Sequence, residues 1–436
     1  MQGEIEQHYP EHHARLLQCW GEALEAAGFE AAVVHAGSPP KAFLDDQYYP
    51  YQANPHFLAW APLDDAPGSV LIIHPGQRPL LYLYQPLDYW HAPPEEAQTW
   101  WSEHFDLRQT SDSQQWREAV PQGPVAFIGD DPAVRGEKNC NPGKLLMRLN
   151  LARTQKSSYE LGCMRAAQRI ACRGHRAAQR AFLAGLSEFE IHQAYLSACG
   201  QLDSELPYNS IIALNEHAAV LHYQRRDRQQ SAEARSFLID AGARFNGYCA
   251  DISRSYSTAS GLFSELIKGM EKLQEQLCHQ VSAGTNYVDL HSEAHRAIAA
   301  LLAESEVISA SAEAAIDNGL SAVFFPHGVG HFLGLQVHDV AGQVDNNGRE
   351  LPPPQAHPNL RLTREMEVGN VVTVEPGLYF IDQLLNEAAG SKLRTLINWD
   401  LVESLRPFGG IRIEDNVVVT AGGPENLTRA AFAEAG

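Results

Sequence analysis

The sequence predicts two domains, an α/β unit over residues 1–155 and an α+β unit of largely antiparallel sheet over residues 156–436. Three observations carry that expectation. A chain of 436 residues exceeds what one hydrophobic core normally supports. In its first third, short apolar runs alternate with helical stretches, as in an α/β layer. Beyond residue 155, long helical stretches and β-rich runs segregate, which suits antiparallel sheet.

The elements follow in order. Residues 11–27, EHHARLLQCWGEALEAA, have helical periodicity, and the runs AAVVHAG, SVLIIHP, PLLYLYQP and PVAFIGD read as strands. A helix near Pro142 to Leu151 closes the first unit. At ARTQKSSYE the character changes, and Ser157 or Ser158 is placed to cap a helix running through Leu183. Further helices are expected over about 187–200, 260–281 and 286–304. Between them lie NSIIALNEHAAVLHY, RSFLIDAGARFNGYCADISRSYS, NVVTVEPGLYF and GIRIEDNVVV as β-rich segments, and LPPPQAHP as a surface loop.

Composition narrows the function. Hydrophobic residues at 44% and charged residues at 20% describe an ordinary globular protein. A formal net charge of -20 repels phosphate backbones and anionic lipid, which argues against nucleic acid and membrane surfaces as partners. The same excess leaves carboxylates available to hard cations. Seven scattered cysteines without a CxxC pair point to free thiols in a reducing compartment. With no apolar signal core or membrane-length run, a cytoplasmic protein is expected, and the sequon at Asn426 is coincidental.

Chemistry concentrates in the second unit. Asn246-Gly247 between alternating apolar runs is a strong hairpin signal. Pairs about that turn have numbers summing to 493, so Asp251 faces Gly242 and Asp240 lies diagonal to it on the same face. Gly242 leaves space beside the two converging carboxylates. Burying them costs several kcal/mol unless a cation answers them. Glu375 ends the strand NVVTVE, and in GIRIEDNVVV period two puts Arg412 and Glu414 on one face, with Ile411 and Ile413 on the other. The segment FFPHGVGHFLGLQVHD adds His327, His331 and His338 in an almost uncharged run. A zinc-protease helix is excluded there, since Gly328 and Gly330 oppose a helix and no Glu follows His327. Taken singly, each acid or histidine could be structural. Four acids with an imidazole suit manganese or a similar divalent ion, and five ligands are too many for one tetrahedral zinc.

DAGARFNGYCADISRSY, HGVGHFLGLQVHD, VEPGLYF and GGIRIEDN together resemble the signatures of the pita-bread metallopeptidases. With FLDDQYYPYQANPHFLAW, YQPLDYWH and PFGGIRIEDN, the likeness extends to the bacterial Xaa-Pro dipeptidases and organophosphorus acid anhydrolases, over essentially the whole chain. The resemblance implies a pita-bread fold for residues 156–436 and a dinuclear centre, with Asp240 chelating one ion, Asp251 and Glu414 bridging both, and His331 and Glu375 holding the other. His338 and His327 match family residues that handle substrate and developing charge, and Glu375 is the expected general base. His222, Arg361 and Arg412 match substrate-binding positions, with Arg361 at the terminal carboxylate, and Tyr208 and Val337 match pocket-lining ones. Asp46 and Trp90 match positions that reach a neighbouring subunit's site, which implies a homodimer whose first domain caps its partner's pocket. The usual Thr-Arg-Thr is Ser253-Arg254-Ser255 here, keeping both hydroxyls, and Phe332 leaves pocket shape less determined than chemistry. The activity implied is hydrolysis of Xaa-Pro dipeptides by a hydroxide held between two divalent ions, manganese in kind, with organophosphorus triesters as side substrates. An aminopeptidase P-like enzyme on longer peptides, a creatinase-like hydrolase, and a metal-free binding module on the same fold are the alternatives. Intact ligands disfavour the last two.

Overall fold

The computed structural model describes residues 2–90 and 99–434. Two compact units emerge, Met1–Cys163 with Phe245–Tyr248, and Met164–Arg244 with Cys249–Gly436. Residue 155 lies between the helices Gly143–Ala152 and Ser158–Leu183. His91, which ends the YQPLDYWH motif, lies outside the described residues.

In the first unit, β1 (Ala31–His35), β2 (Val70–Ile73), β3 (Leu80–Tyr84), β4 (Asp106–Thr110) and β5 (Val125–Ile128) form one sheet in the order β4-β3-β2-β1-β5. It is mixed: β1 runs parallel to β5 and antiparallel to β2, and β3 runs parallel to β4. Every residue of β1, β2 and β5 is buried, as expected of strands covered on both faces. The strand β4, DLRQT, is polar and largely exposed at the sheet edge, and its lack of apolar alternation hid it from the sequence reading. The helix Tyr9–Ala27 ends at Gly28, whose φ of 79° is the left-handed conformation that glycine tolerates.

Ser157 provides the cap for the helix Ser158–Leu183: Glu160 N–H donates to Ser157 Oγ at 3.3 Å, and Ser157 N–H donates to Glu160 Oε2 at 2.8 Å. The other long helices are Glu188–Cys199, Leu262–Gln280 and Tyr287–Glu304. Strands of the second unit segregate into antiparallel sheets. One holds β6 (Ile211–Leu214), β7 (Ser236–Asp240) and, beyond the short hairpin of β8 (Arg244–Phe245) and β9 (Tyr248–Cys249), β10 (Ser253–Ser257) in the order β10-β7-β6. The other holds β11 (Val371–Val374), β14 (Asp415–Thr420) and β15 (Gly423–Asn426). Between them in sequence, β12 (Gly377–Tyr379) pairs with β13 (Gly410–Arg412).

GIRIEDNVVV is therefore not one strand. It changes sheets at Ile413–Glu414, yet the expected alternation survives: Ile411 and Ile413 enter the main core, while Arg412 and Glu414 face a cavity. That core joins Leu266, Met270 and Leu273 of one helix and Leu290, Ile298 and Leu302 of the next to Val372, Val374, Val417 and Val419. Asp240 ends β7 and Glu375 directly follows β11.

Candidate metal centre and substrate cavity

A cavity of about 1010 Å³ opens in the second unit. Asp240, Asp251, His331, Glu375 and Glu414 line it, as do His222, His327, His338, Tyr208, Val337, Arg361 and Arg412. Asp46 and Trp90 are exposed residues of the first unit and do not belong to this lining.

The acid pair comes from the hairpin. Asn246 and Gly247 have φ of 50° and 81°, the two left-handed residues of a tight hairpin turn. Ser253 pairs with Asp240, and Ala250 N–H donates to the Ala243 carbonyl at 2.9 Å, so the register is the one expected. Gly242 does not leave open space, however. A Cβ there would strike the Ala250 carbonyl and the side chains of Pro207 and Tyr208. The Tyr208 hydroxyl lies 2.7 Å from Asp240 Oδ1 and 2.5 Å from Asp251 Oδ1.

His331 is placed by backbone pairing with β11. Glu375 N–H donates to the Val329 carbonyl at 2.8 Å, and Thr373 N–H donates to the His331 carbonyl at 2.9 Å. Gly330, at φ 154°, permits that approach, since a Cβ would collide with the Thr373 carbonyl and the Tyr287 hydroxyl. His331 Nδ1 lies 2.9 Å from the Phe332 carbonyl. It therefore carries the proton, and Nε2 presents a lone pair. That Nε2 lies 3.6 Å from both Asp251 Oδ2 and Glu375 Oε1.

Glu414 receives the Ser253 hydroxyl on Oε2 at 2.8 Å, while Oε1 is buried with no hydrogen-bond partner. Its neighbour Asp415 turns the other way, to Arg254 at 2.7 Å and Arg429 at 2.8 Å. Adjacent acids thus serve opposite faces of the strand, one the cavity and one the interior.

Burial dominates the electrostatics. It pushes Glu375 up to about 8, with Arg412 opposing. Asp251 and Glu414 are driven well above the carboxylate range by burial, then by the nearby acids Asp240 and Asp251 respectively. The histidines shift the other way: burial lowers His331 to about 3, helped by His338, and His327 to about 3, helped by Arg412. His338 falls to about 4 through burial and Arg361. The imidazoles are therefore neutral near pH 7.

These residues fit a divalent metal. Donor atoms of Asp251, His331 and Glu414 lie within 4.8 Å of one another, a bare imidazole nitrogen faces two carboxylates, and a buried carboxylate oxygen lacks any partner. A cation answers all three. Because the carboxyls hold protons without it, metal binding at pH 7 should release protons, and apparent affinity should weaken as pH falls below about 8. Calorimetric titration in two buffers of different ionisation enthalpy checks this; identical heats would contradict it.

Sequence reasoning missed the supports. Asn416 receives the Asp251 N–H at 3.0 Å and donates to the Asp251 carbonyl at 2.6 Å. Gln168 in turn donates to Asn416 Oδ1 and receives the Thr428 hydroxyl. Asn416→Ala strands both backbone groups of Asp251 and should destabilise the protein by about 2–5 kcal/mol, measured by denaturant unfolding. An unchanged midpoint would dismiss that role. Arg412, matched to a substrate-binding position, is engaged within the protein: it donates to Asp240 Oδ2 and the Tyr379 hydroxyl, each at 2.7 Å, and to Ser253 Oγ at 3.1 Å. His327 Nε2 also meets the Tyr379 hydroxyl at 3.0 Å. The alternation in GIRIEDN and the family resemblance both signalled Arg412, but neither signalled its contacts with Asp240 and Tyr379.

Comparison with known proteins identifies the surroundings of this site. The family model described as metallopeptidase family M24 matches residues 162–421. A second, described as the Xaa-Pro dipeptidase N-terminal domain, matches residues 7–151. An Xaa-Pro dipeptidase of Shewanella halifaxensis is 45% identical over 427 residues, covering 97% of each chain. One of Xanthomonas euvesicatoria is 47% identical over 432 residues, covering 98% of each. In fold, the chain is similar to Escherichia coli aminopeptidase P bound to the inhibitor Pro-Leu, with a TM-score of 0.72 at 21% identity over 99% of this chain and 98% of that one.

Proposed function

The chain belongs to metallopeptidase family M24, and from that premise we propose that it is a metal-dependent Xaa-Pro dipeptidase with two manganese ions per subunit. The observation that carries the reading is the convergence of Asp240, Asp251, His331, Glu375 and Glu414 in one cavity that Arg361 also lines. Those five would hold the ions. When bound, the metal supplies Lewis acidity that polarises the scissile carbonyl and acidifies water.

The chain's own residues do the rest. Glu375 Oε takes a proton from the attacking water and delivers it to the prolyl nitrogen as the C–N bond breaks. Neutral His338 donates its ring N–H to the developing oxyanion, and His327, beside the Tyr379 hydroxyl, supports the same charge. Arg412 neutralises Asp240, while His222, Tyr208 and Val337 bound the pocket. The prolyl nitrogen carries no hydrogen and its ring fixes the backbone, so a dedicated pocket is needed where general peptidases fail.

A dipeptide differs from longer Xaa-Pro peptides by the carboxylate directly after proline. Arg361, exposed and lining the cavity, offers a planar fork for it. Arg361→Ala should lower kcat/KM for Xaa-Pro by roughly 10- to 150-fold, or about 1.5–3 kcal/mol. An uncharged organophosphorus triester, the proposed side substrate, should be spared. Equal loss on both would make Arg361 structural.

We further propose a cytoplasmic homodimer in which Asp46 and Trp90 complete the partner's pocket. Support comes from seven free cysteines and from apolar side chains exposed on the first unit, Leu44 at 91%, Tyr89 at 86% and Trp90 at 77%. No helix among the described residues is long and apolar enough to cross a membrane. The deciding assay compares Xaa-Pro dipeptides with Xaa-Pro tripeptides after chelation, with and without Mn²⁺. Preference for tripeptides would assign the aminopeptidase P activity instead.

A further inference from the structure

We propose that His291, His295 and His357 form a second metal site, a three-histidine centre for a borderline divalent cation with Zn²⁺ the best match, apart from the carboxylate centre. One nitrogen from each residue lies within 4.8 Å of the others. His291 and His295 stand one turn apart on the helix Tyr287–Glu304, and so share a face. Their ring centroids are 4.6 Å apart at 85°. His357, from the proline-rich loop, closes the triangle at 4.4 Å from His291 and 4.6 Å from His295.

An independent observation points to a ligand. His291 is 1% exposed, its ring stands edge-on to both other rings, and its Nδ1 is buried without a hydrogen-bond partner. His295 is already oriented as metal-bound imidazoles are: its Nδ1 meets Ser321 Oγ at 2.9 Å, leaving Nε2 for an ion. All three rings are held neutral, the form that ligates. Burial first, then the neighbouring imidazoles, lowers His291 to about 2 and His295 to about 4, and burial lowers His357 as well.

The competing account is an aromatic core. Phe325 does pack here, 4.9 Å from the His295 ring and 5.7 Å from that of His291. Apolar packing has no use for three polar rings, however, and leaves the His291 nitrogen unanswered. A cation receives all three lone pairs.

Imidazole-only donors favour zinc and its late-transition-metal neighbours over manganese, whereas the carboxylate centre favours harder ions. The two sites thus select different metals. Tetrahedral zinc at about 2.0–2.1 Å from nitrogen needs ligand nitrogens roughly 3.3–3.4 Å apart, and these already lie within 4.8 Å of one another, so a closure of at most about 1.5 Å completes the site. His357 can supply that movement, being only half-buried on an irregular segment. The Leu360 N–H bonds the His357 carbonyl at 3.1 Å, and Pro358, Asn359, Leu360 and Arg361 line the substrate cavity. An ion here ties that segment of the cavity wall to the helix.

The test uses the full-length protein with its carboxylate site saturated with Mn²⁺. It is titrated with Co²⁺, followed by visible absorption, and bound metals are counted by mass spectrometry after gel filtration. The wild type should take up one further equivalent of Co²⁺ and show the intense bands of a nitrogen-rich site of low coordination number. His357→Ala and His291→Gln should each lose that equivalent while keeping the same Mn²⁺ content. His357→Ala removes only a half-buried loop side chain, so it remains informative where the buried variant fails to fold. Cobalt uptake and spectra identical in wild type and His357→Ala, or no uptake beyond the carboxylate site, overturn the proposal.

Discussion

Asp251→Asn should lower kcat/KM by roughly 10²- to 10⁴-fold, the equivalent of removing one partner from a buried charge pair at about 3–5 kcal/mol. The side chain is 7% exposed, and its Oδ2 lies 3.6 Å from His331 Nε2. An amide of the same shape keeps a hydrogen bond with Tyr208 but carries no charge for a cation, so metal affinity should fall with activity. The fold should remain, because the Asp251 backbone is held by Asn416 whatever the side chain. Stability makes the sign testable. The folded, metal-free protein holds a proton on Asp251 well above the usual carboxylate range. The unfolded chain releases that proton near pH 4, so the group opposes folding increasingly as pH rises above that value. Asparagine removes this penalty, and the metal-free variant at pH 7 should unfold no more easily than the metal-free wild type. Elemental analysis and thermal unfolding with and without Mn²⁺ decide the matter. Normal metal content with normal turnover would remove Asp251 from the site.

What could be read from sequence was what local geometry dictates. A two-residue turn fixes a register, and a register fixes which carboxylates share a face, so Asp240 and Asp251 could be brought together from DAGARFNGYCAD alone. Strand alternation likewise brought Arg412 beside Glu414 and survived the change of sheets between them. What remained hidden depends on chain segments far apart. Arg412 meets Asp240 across 172 positions, and Asn416 braces Asp251 across 165. Neither contact leaves a period in the sequence. Gly242 was legible as a gap but not as the seat of Tyr208, because only the fold shows which side chain fills it. The same holds for the three-histidine cluster: His291 and His295 are one turn apart on a helix, but nothing local ties them to His357.

Glu375→Gln should separate proton transfer from metal holding, the two roles proposed for that one carboxylate. Its side chain keeps 18% exposure toward the cavity, and burial raises it to about 8. A carboxyl poised near working pH both accepts a proton from water and surrenders it to a leaving nitrogen, the condition under which general acid–base catalysis is most effective. Substrate entering the cavity displaces water from the group and strengthens its basicity further. Glutamine retains a carbonyl oxygen that still binds a cation, though more weakly without charge. It has no basic site for the proton. Metal affinity of the variant should therefore fall but be recoverable at high Mn²⁺, while kcat stays down by roughly 10²- to 10⁴-fold with KM little changed. The measurement is turnover on an Xaa-Pro dipeptide at rising Mn²⁺, with bound metal counted at each point. If kcat returns as the site fills, Glu375 is a ligand alone, and the proton must travel through another group facing the cavity, of which His338 is the nearest in chemistry.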